Sequence, residues 1–152
     1  MRLTLYDELR SVLRALEQAG VEHALVGALA VAVWGAPRAT KDIDLLIRRD
    51  DLARALEAIA RIGFTLRGLP MEFKDGTEVQ RVNKVDPDGN LMTVDFMTAD
   101  AGLMAPWESR VRLPFADGAV TVVSRETLIG MKARAARPQD LMDIQNLQDL
   151  DR

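Results

Sequence analysis

Thr40-Lys41-Asp42-Ile43-Asp44-Leu45-Leu46-Ile47 is a segment whose second half is apolar and β-branched, interrupted only by Asp44. In a strand, residues two apart point to one face, so Asp42 and Asp44 project together from the start of a hydrophobic strand. Two like charges on a half-buried surface repel each other and lose solvation, which requires compensation. The usual compensation is a hard divalent cation: Mg²⁺ takes one or two carboxylates and completes its octahedron with waters and phosphate oxygens. Thr93-Val94-Asp95-Phe96-Met97 carries a third acid in an apolar alternating stretch. If that segment pairs beside Asp42–Ile47, Asp95 completes a carboxylate triad for one or two ions, which in a two-metal site lie about 3.5–4 Å apart. Asp95 then ligates the metal that activates an acceptor hydroxyl and is placed to take its proton. The alternative is plain: acids at strand starts also serve as solvated edge residues or caps, and a bare Asp-x-Asp recurs by chance.

Upstream context bears on that choice. Val26-Gly27-Ala28 precedes a helix-compatible run, and Arg38-Ala39-Thr40 stands just ahead of the two acids. A glycine between strand and helix lets backbone N–H groups approach a phosphate, with the positive end of the helix dipole behind them. Arg38 is placed to contact phosphate oxygens. A tight strand–helix turn would use the same residues.

Outward from this centre the elements follow. Leu5, Leu9, Val12, Leu13 and Leu16 recur at helical spacing before Gly20, predicting a helix over 4–19. His23–Gly27 reads as a buried strand, and 28–34 suits either a continuation of it or a short helix. Asp50 is the expected N-cap of a helix over 51–62 that Gly63 closes. Glu78–Val85, Leu91–Met97, Val111–Phe115 and Ala119–Val123 read as strands, separated by Asp75-Gly76, Asp86-Pro87-Asp88-Gly89 and Asp117-Gly118. Ser124 caps a helix to about 136, and Pro138 opens a last one to about 149. The order predicts an α/β (α+β) sandwich with one mixed sheet flanked by helices in a single domain over 1–152, with its core in about 20–100 and C-terminal helices in about 125–150.

Composition narrows the chemistry. The chain has 152 residues, no cysteine, one histidine and a net charge of −3. Thiolate chemistry, disulfides and multi-histidine metal sites are therefore excluded, and carboxylates remain. A small acidic excess gives no bulk field to hold nucleic acid, so such a partner would need a local basic patch. Lys41, Arg48, Arg49, Arg67, Lys74, Arg81, Lys84, Arg110 and Arg112 are the candidates to supply one. The longest apolar run, Ala24 to Gly35, is about half of the roughly 20 residues a membrane span needs, so the expectation is a cytoplasmic chain with no membrane partner. His23 and Trp34 are expected to be structural, and Met71, Met92, Met97, Met104 and Met131 to fill core gaps.

Taken together, Leu25-Val26-Gly27-Ala28-Leu29-Ala30, Trp34-Gly35-Ala36-Pro37-Arg38-Ala39-Thr40-Lys41-Asp42-Ile43-Asp44 and Thr93-Val94-Asp95 resemble the nucleotidyltransferase superfamily that includes DNA polymerase β. Among small members the pattern is most similar to the AbiEii-toxin-like group, and next to the lincosamide-type antibiotic adenylyltransferases. Val123–Lys132 and Arg137–Ile144 match what small members show after the core. The resemblance implies a nucleotidyltransferase fold, two Mg²⁺ ions, and transfer of a nucleoside monophosphate from an NTP with release of pyrophosphate. Asp42, Asp44 and Asp95 match the metal ligands, Gly27 and Ala28 the triphosphate turn, and Lys132 a basic position near the triphosphate. Ala28 stands where a second glycine or a serine is usual, leaving only backbone donors there. Asp140 and Asp143 match acids of the closing helix. Read from spacing alone they are helical neighbours able to pair with Lys132 or Arg137 instead.

Two classes of function follow. One is a Mg²⁺-dependent transferase acting on a hydroxyl of tRNA, protein or a small molecule, as part of a toxin–antitoxin pair or as an antibiotic adenylyltransferase. The other is a catalytically weak or inactive module that keeps the fold to bind a partner such as an antitoxin, a reading motivated by Ala28 and the small size.

Overall fold

Leu9, Val12, Leu13 and Leu16 form the buried stripe of α1 (Leu5–Gln18) in the computed structural model, which describes residues 4–37, 39–73, 76–115 and 118–150. Gly20, at φ +72°, turns the chain toward β1 (His23–Val26), all of whose residues are buried. The alanine-rich run that follows is a helix, α2 (Gly27–Val33). Gly27 adopts φ +70°, which ends the strand, and alternating alanines then favour the helix. β2 (Asp42–Ile47) leads through a single 3₁₀ turn, Arg49–Asp51, into α3 (Leu52–Ala60).

The start of α3 differs from expectation. Asp50 lies in the 3₁₀ turn and Asp51 takes the N-cap position without a capping hydrogen bond from its side chain. Asp51 instead receives Arg54 at 2.6 Å and Arg48 at 3.5 Å, because a guanidinium offers the carboxylate a charge-assisted partner. Two short edge strands, β3 (Leu66–Arg67) and β4 (Met71–Glu72), come next and carry too few residues for a periodicity to show. β5 (Glu78–Val85) and β6 (Leu91–Thr98) form a long antiparallel hairpin. Its turn is fixed by Asp86, whose Oδ1 accepts the backbone N–H groups of Asp88 and Asn90 at 3.0 and 2.8 Å.

A short helix, α4 (Met104–Glu108), went unpredicted because Pro106 sits inside it, in the first turn where the missing N–H costs nothing. β7 (Val111–Phe115) and β8 (Gly118–Val122) make a second hairpin whose Ala116-Asp117 tip lies outside the described residues, as does Asp75 of the 75–76 turn. Ser124 caps α5 (Arg125–Ala135) as expected, its Oγ accepting the Thr127 N–H at 3.1 Å. Pro138 is the first residue of α6 (Pro138–Asp149).

The strands form one eight-stranded mixed sheet in the order β3-β5-β6-β2-β1-β8-β7, with β4 added to β5. β2–β6 and β1–β8 are the parallel pairs. Cross-strand partners share a face, so Arg81 lies on the face of Asp95, and Lys84, three residues on, lies on the other. Lys84 reaches Glu8 of α1 at 3.0 Å, which places α1, with α3 packed on it, behind the sheet. In front, α2 lies across β1 and β2 and touches α5 and α6. The sheet is thus a two-sided platform, its acids facing the layer of α2, α5 and α6.

The core includes Phe64, Phe96, Leu25, Ile43, Leu45 and Ile47, all fully buried. Among the five methionines expected to fill it, Met92 does so, but Met71 and Met104 are 40% and 42% exposed. Met71 sits on a two-residue edge strand, too short to bring a covering element with it. His23 is buried, with Nδ1 3.3 Å from the Val21 carbonyl and its pKa lowered chiefly by desolvation, and Trp34 donates its indole N–H to the Val123 carbonyl at 3.0 Å. Both are structural, as expected. Among the described residues no helix is long and apolar enough to cross a membrane.

Candidate active site

The parallel register of β2 and β6 sets Asp44 directly opposite Asp95 and Asp42 opposite Thr93. Strand alternation keeps Asp42 on the face of Asp44. The three acids therefore share one patch at the floor of an open cleft of about 950 Å³. The walls come from the start of α2, from Met71, Phe73 and Thr77 near the β4–β5 hairpin, and from α5 and α6.

Gly27 explains how Asp44 fits. A Cβ at Gly27 would overlap Asp44 Oδ2 and lie 3.0 Å from its Cβ and Cγ, and the positive φ independently disfavours any side chain. The turn is therefore shaped to let a carboxylate lie on bare backbone. Ala28 is buried and lines the cleft, as does Thr40, whose Oγ1 accepts the Asp42 N–H at 3.3 Å. Since α2 has only seven residues, its dipole is a weak resource for binding phosphate. Arg38 lies outside the described residues.

Lys132 also reaches the cleft wall, but as one member of a closed network. Its Nζ lies 3.0 Å from Asp143 and 3.4 Å from Asp140, and all three side chains are buried. Arg137 adds a fork to Asp140, Nε to Oδ2 at 2.7 Å and Nη2 to Oδ1 at 3.3 Å. The pairing that helical spacing allowed is thus the one that forms, and it ties α5 to α6. Arg137 holds the Asp140 carboxyl below the usual range.

Sequence reading placed Arg81 only in a surface patch, yet it is a site residue. Its Nε and Nη2 donate to the two oxygens of Asp95 at 2.9 and 3.0 Å. The signal was present in the alternation of β5, but only the β5–β6 register reveals which acid Arg81 faces. The rest of the expected basic patch is largely engaged in ion pairs. Arg49 pairs with Glu78 and Asp100, Arg48 with Glu22, Lys84 with Glu8, and Arg112 with Glu17. Arg110 stacks on Trp107 at 3.8 Å, and Lys74 lies outside the described residues.

Burial, then the charges of Asp95 and Asp42, push the Asp44 carboxyl up to about 7, against the opposing pull of Lys132 and Arg81. Such a patch accepts a cation readily, and its donors are all oxygens, suited to Mg²⁺. Gly27 keeps Asp44 uncovered by any side chain of its own turn. The residues therefore fit a hard divalent ion. Among the described residues, however, no three acidic or histidine side chains are already arranged to ligate a metal, and both oxygens of Asp95 are engaged by Arg81.

The same architecture occurs in known proteins. TM1012 of Thermotoga maritima, assigned as a nucleotidyltransferase, superposes with a TM-score of 0.69 at 12% identity, over 95% of this chain and 92% of that one. The lincosamide antibiotic adenylyltransferase LnuA, solved with lincomycin bound, gives 0.63 at 15% identity over 93% and 95%. The antibiotic-resistance factor ANT(2'')-Ia gives 0.64 at 16% identity over 93% and 80%. At these identities the likeness concerns the fold. No curated protein sequence matches the chain. Residues 11–151 match the family described as nucleotidyl transferase AbiEii toxin, type IV toxin–antitoxin system. With nearly its whole length matched, the chain belongs to the AbiEii nucleotidyltransferase toxin family and is a nucleotidyltransferase.

Proposed function

We propose that the chain transfers a nucleoside monophosphate from an NTP to a hydroxyl-bearing acceptor, using Mg²⁺ held by Asp42, Asp44 and Asp95, and that it acts as the toxin of a toxin–antitoxin pair. The observation that carries this reading is the facing of Asp44 and Asp95 across adjacent parallel strands, with Asp42 on the same face. Mg²⁺ bound there would neutralise phosphate charge and lower the pKa of the acceptor hydroxyl. Gly27 keeps the approach to Asp44 clear, while the Gly27 and Ala28 backbone and Thr40 are the groups we assign to the phosphate chain. Lys132 contributes positive potential to the cleft, though its ammonium is already shared by two carboxylates.

The acceptor is tRNA, a protein or a small molecule. The ion pairing of Arg48, Arg49, Lys84 and Arg112 removes the support that a broad basic surface would have given to a large polyanion. The cleft's apolar lining, which includes Met71, Phe73, Met97 and Met131, suits the aromatic or aliphatic parts of a ligand equally in each case. Incubation with NTPs labelled at the α- or the γ-phosphate, Mg²⁺ and each acceptor class tests the reading. Label should pass to an acceptor from the α position only and vanish with Asp44→Ala. Transfer from the γ position, or transfer indifferent to Asp44→Ala, would contradict it.

A further inference from the structure

Arg81 and Asp95 face each other in register on β5 and β6, and the guanidinium fork takes both carboxylate oxygens, at 2.9 and 3.0 Å. Asp95 is buried, whereas the Arg81 side chain is 45% exposed and lines the cleft. The buried acid is therefore met by a cation that is itself open to solvent in the cleft. Lys132, a buried cation that also lines the cleft, is held by Asp140 and Asp143 and leaves Asp95 to Arg81.

Resting on the metal-site reading above, we propose that Arg81 is a resident counter-cation that competes with the divalent metal for Asp95 and so sets the metal affinity of the free protein. The physical basis is simple. A metal ligand must give an oxygen lone pair to the ion, and both oxygens of Asp95 already accept forked N–H bonds. A fixed positive charge a few Å away also repels an incoming dication directly. The charge of Asp95 is thereby met in the metal-free site, and loading requires the guanidinium to leave Asp95. Arg81 is a positioning residue in this account, acting on the metal through Asp95.

The test uses Mn²⁺ alone, titrated by calorimetry into the full chain, its Arg81→Gln and Arg81→Lys variants, and Asp44→Asn as the control that removes a ligand. Arg81→Gln should bind Mn²⁺ about tenfold more tightly than the wild type, from removal of one unit charge near the ion. Arg81→Lys, a point charge without the fork, should fall between them. A residue with a merely structural role would loosen the site on substitution, so tighter binding is the distinguishing sign. Wild-type binding that depends on Asp44 but is exceeded in strength by neither Arg81 variant would overturn the competition while leaving the carboxylate site standing. Binding insensitive to Asp44→Asn in every variant, or absent from all, would overturn the metal-site reading and this inference together. Should Arg81→Gln fail to give the wild-type circular dichroism spectrum, Arg81→Lys decides alone, by the same criterion.

Discussion

Two clusters of acids face the same cleft, and they differ in how their charge is met. On the sheet, Asp42, Asp44 and Asp95 have one close cation among the described residues, Arg81, and Asp44 has its carboxyl pushed up to about 7. Between α5 and α6, Asp140 and Asp143 are more deeply buried, yet Lys132 and Arg137 supply as many cations as there are acids. The helix cluster is complete as it stands and holds two elements together. The sheet cluster carries surplus negative charge that folding alone does not reward. Surplus charge at the floor of an open cleft is what a site for a cation and a polyphosphate requires.

Substitutions should separate the clusters by kind of effect. The largest change belongs to the sheet: Asp44→Ala should lower nucleotidyl transfer by at least about 100-fold, since even outer partners of a metal site cost 10–100-fold. A circular dichroism melt should show that variant folded. In the helix cluster, Lys132→Met removes the ammonium shared by two buried carboxylates and should cost about 3–5 kcal/mol. Thermal unfolding should then fall by roughly 10 °C in a chain of this size.

Gly27→Ala probes the contact between turn and sheet. It combines a strained left-handed backbone with overlap on Asp44, for a loss of about 2–4 kcal/mol that denaturant melts can measure. The smallest effect has the opposite sign. Asp44→Asn should stabilise the metal-free protein by about 1–3 kcal/mol at pH 8. The sign follows from linkage: the folded carboxyl titrates near 7 against 3.8 unfolded, so the penalty of ionising it grows as pH rises between those values. The gain should therefore disappear below about pH 4. Asp140 behaves conversely. Its carboxyl is held low, chiefly by Arg137, so its contribution is present above the ordinary carboxylate range and is lost as pH falls through the depressed value. Melts from pH 3 to 9 would sharpen the contrast.

The sequence revealed the parts that follow from short-range chemistry. Alternation put Asp42 and Asp44 on one face, the apolar run around Asp95 marked a buried strand, and Ser124 and Pro138 marked helix starts. What pairing decides was less legible. Nothing local to Arg81 says that Asp95 is its partner, because the two meet through the register of a hairpin whose turn lies several residues from both. The switch from β1 to α2 was ambiguous because Ala28–Val33 suits either state, and the left-handed Gly27 decides it. The ion pairing within the candidate basic patch was illegible for a related reason: a list of lysines and arginines does not show which acids the fold sets beside them, and Arg48, Arg49, Lys84 and Arg112 each have at least one.

The central claim is that the three sheet carboxylates together hold the catalytic metal. It is tested most directly by anomalous diffraction from crystals soaked with Mn²⁺ and a non-hydrolysable NTP. The account predicts a peak in the cleft within about 2.0–2.3 Å of oxygens from Asp42 and Asp44, with Asp95 turned from Arg81 toward it. A nucleotide bound elsewhere, or a peak that none of the three carboxylates touches, would contradict it.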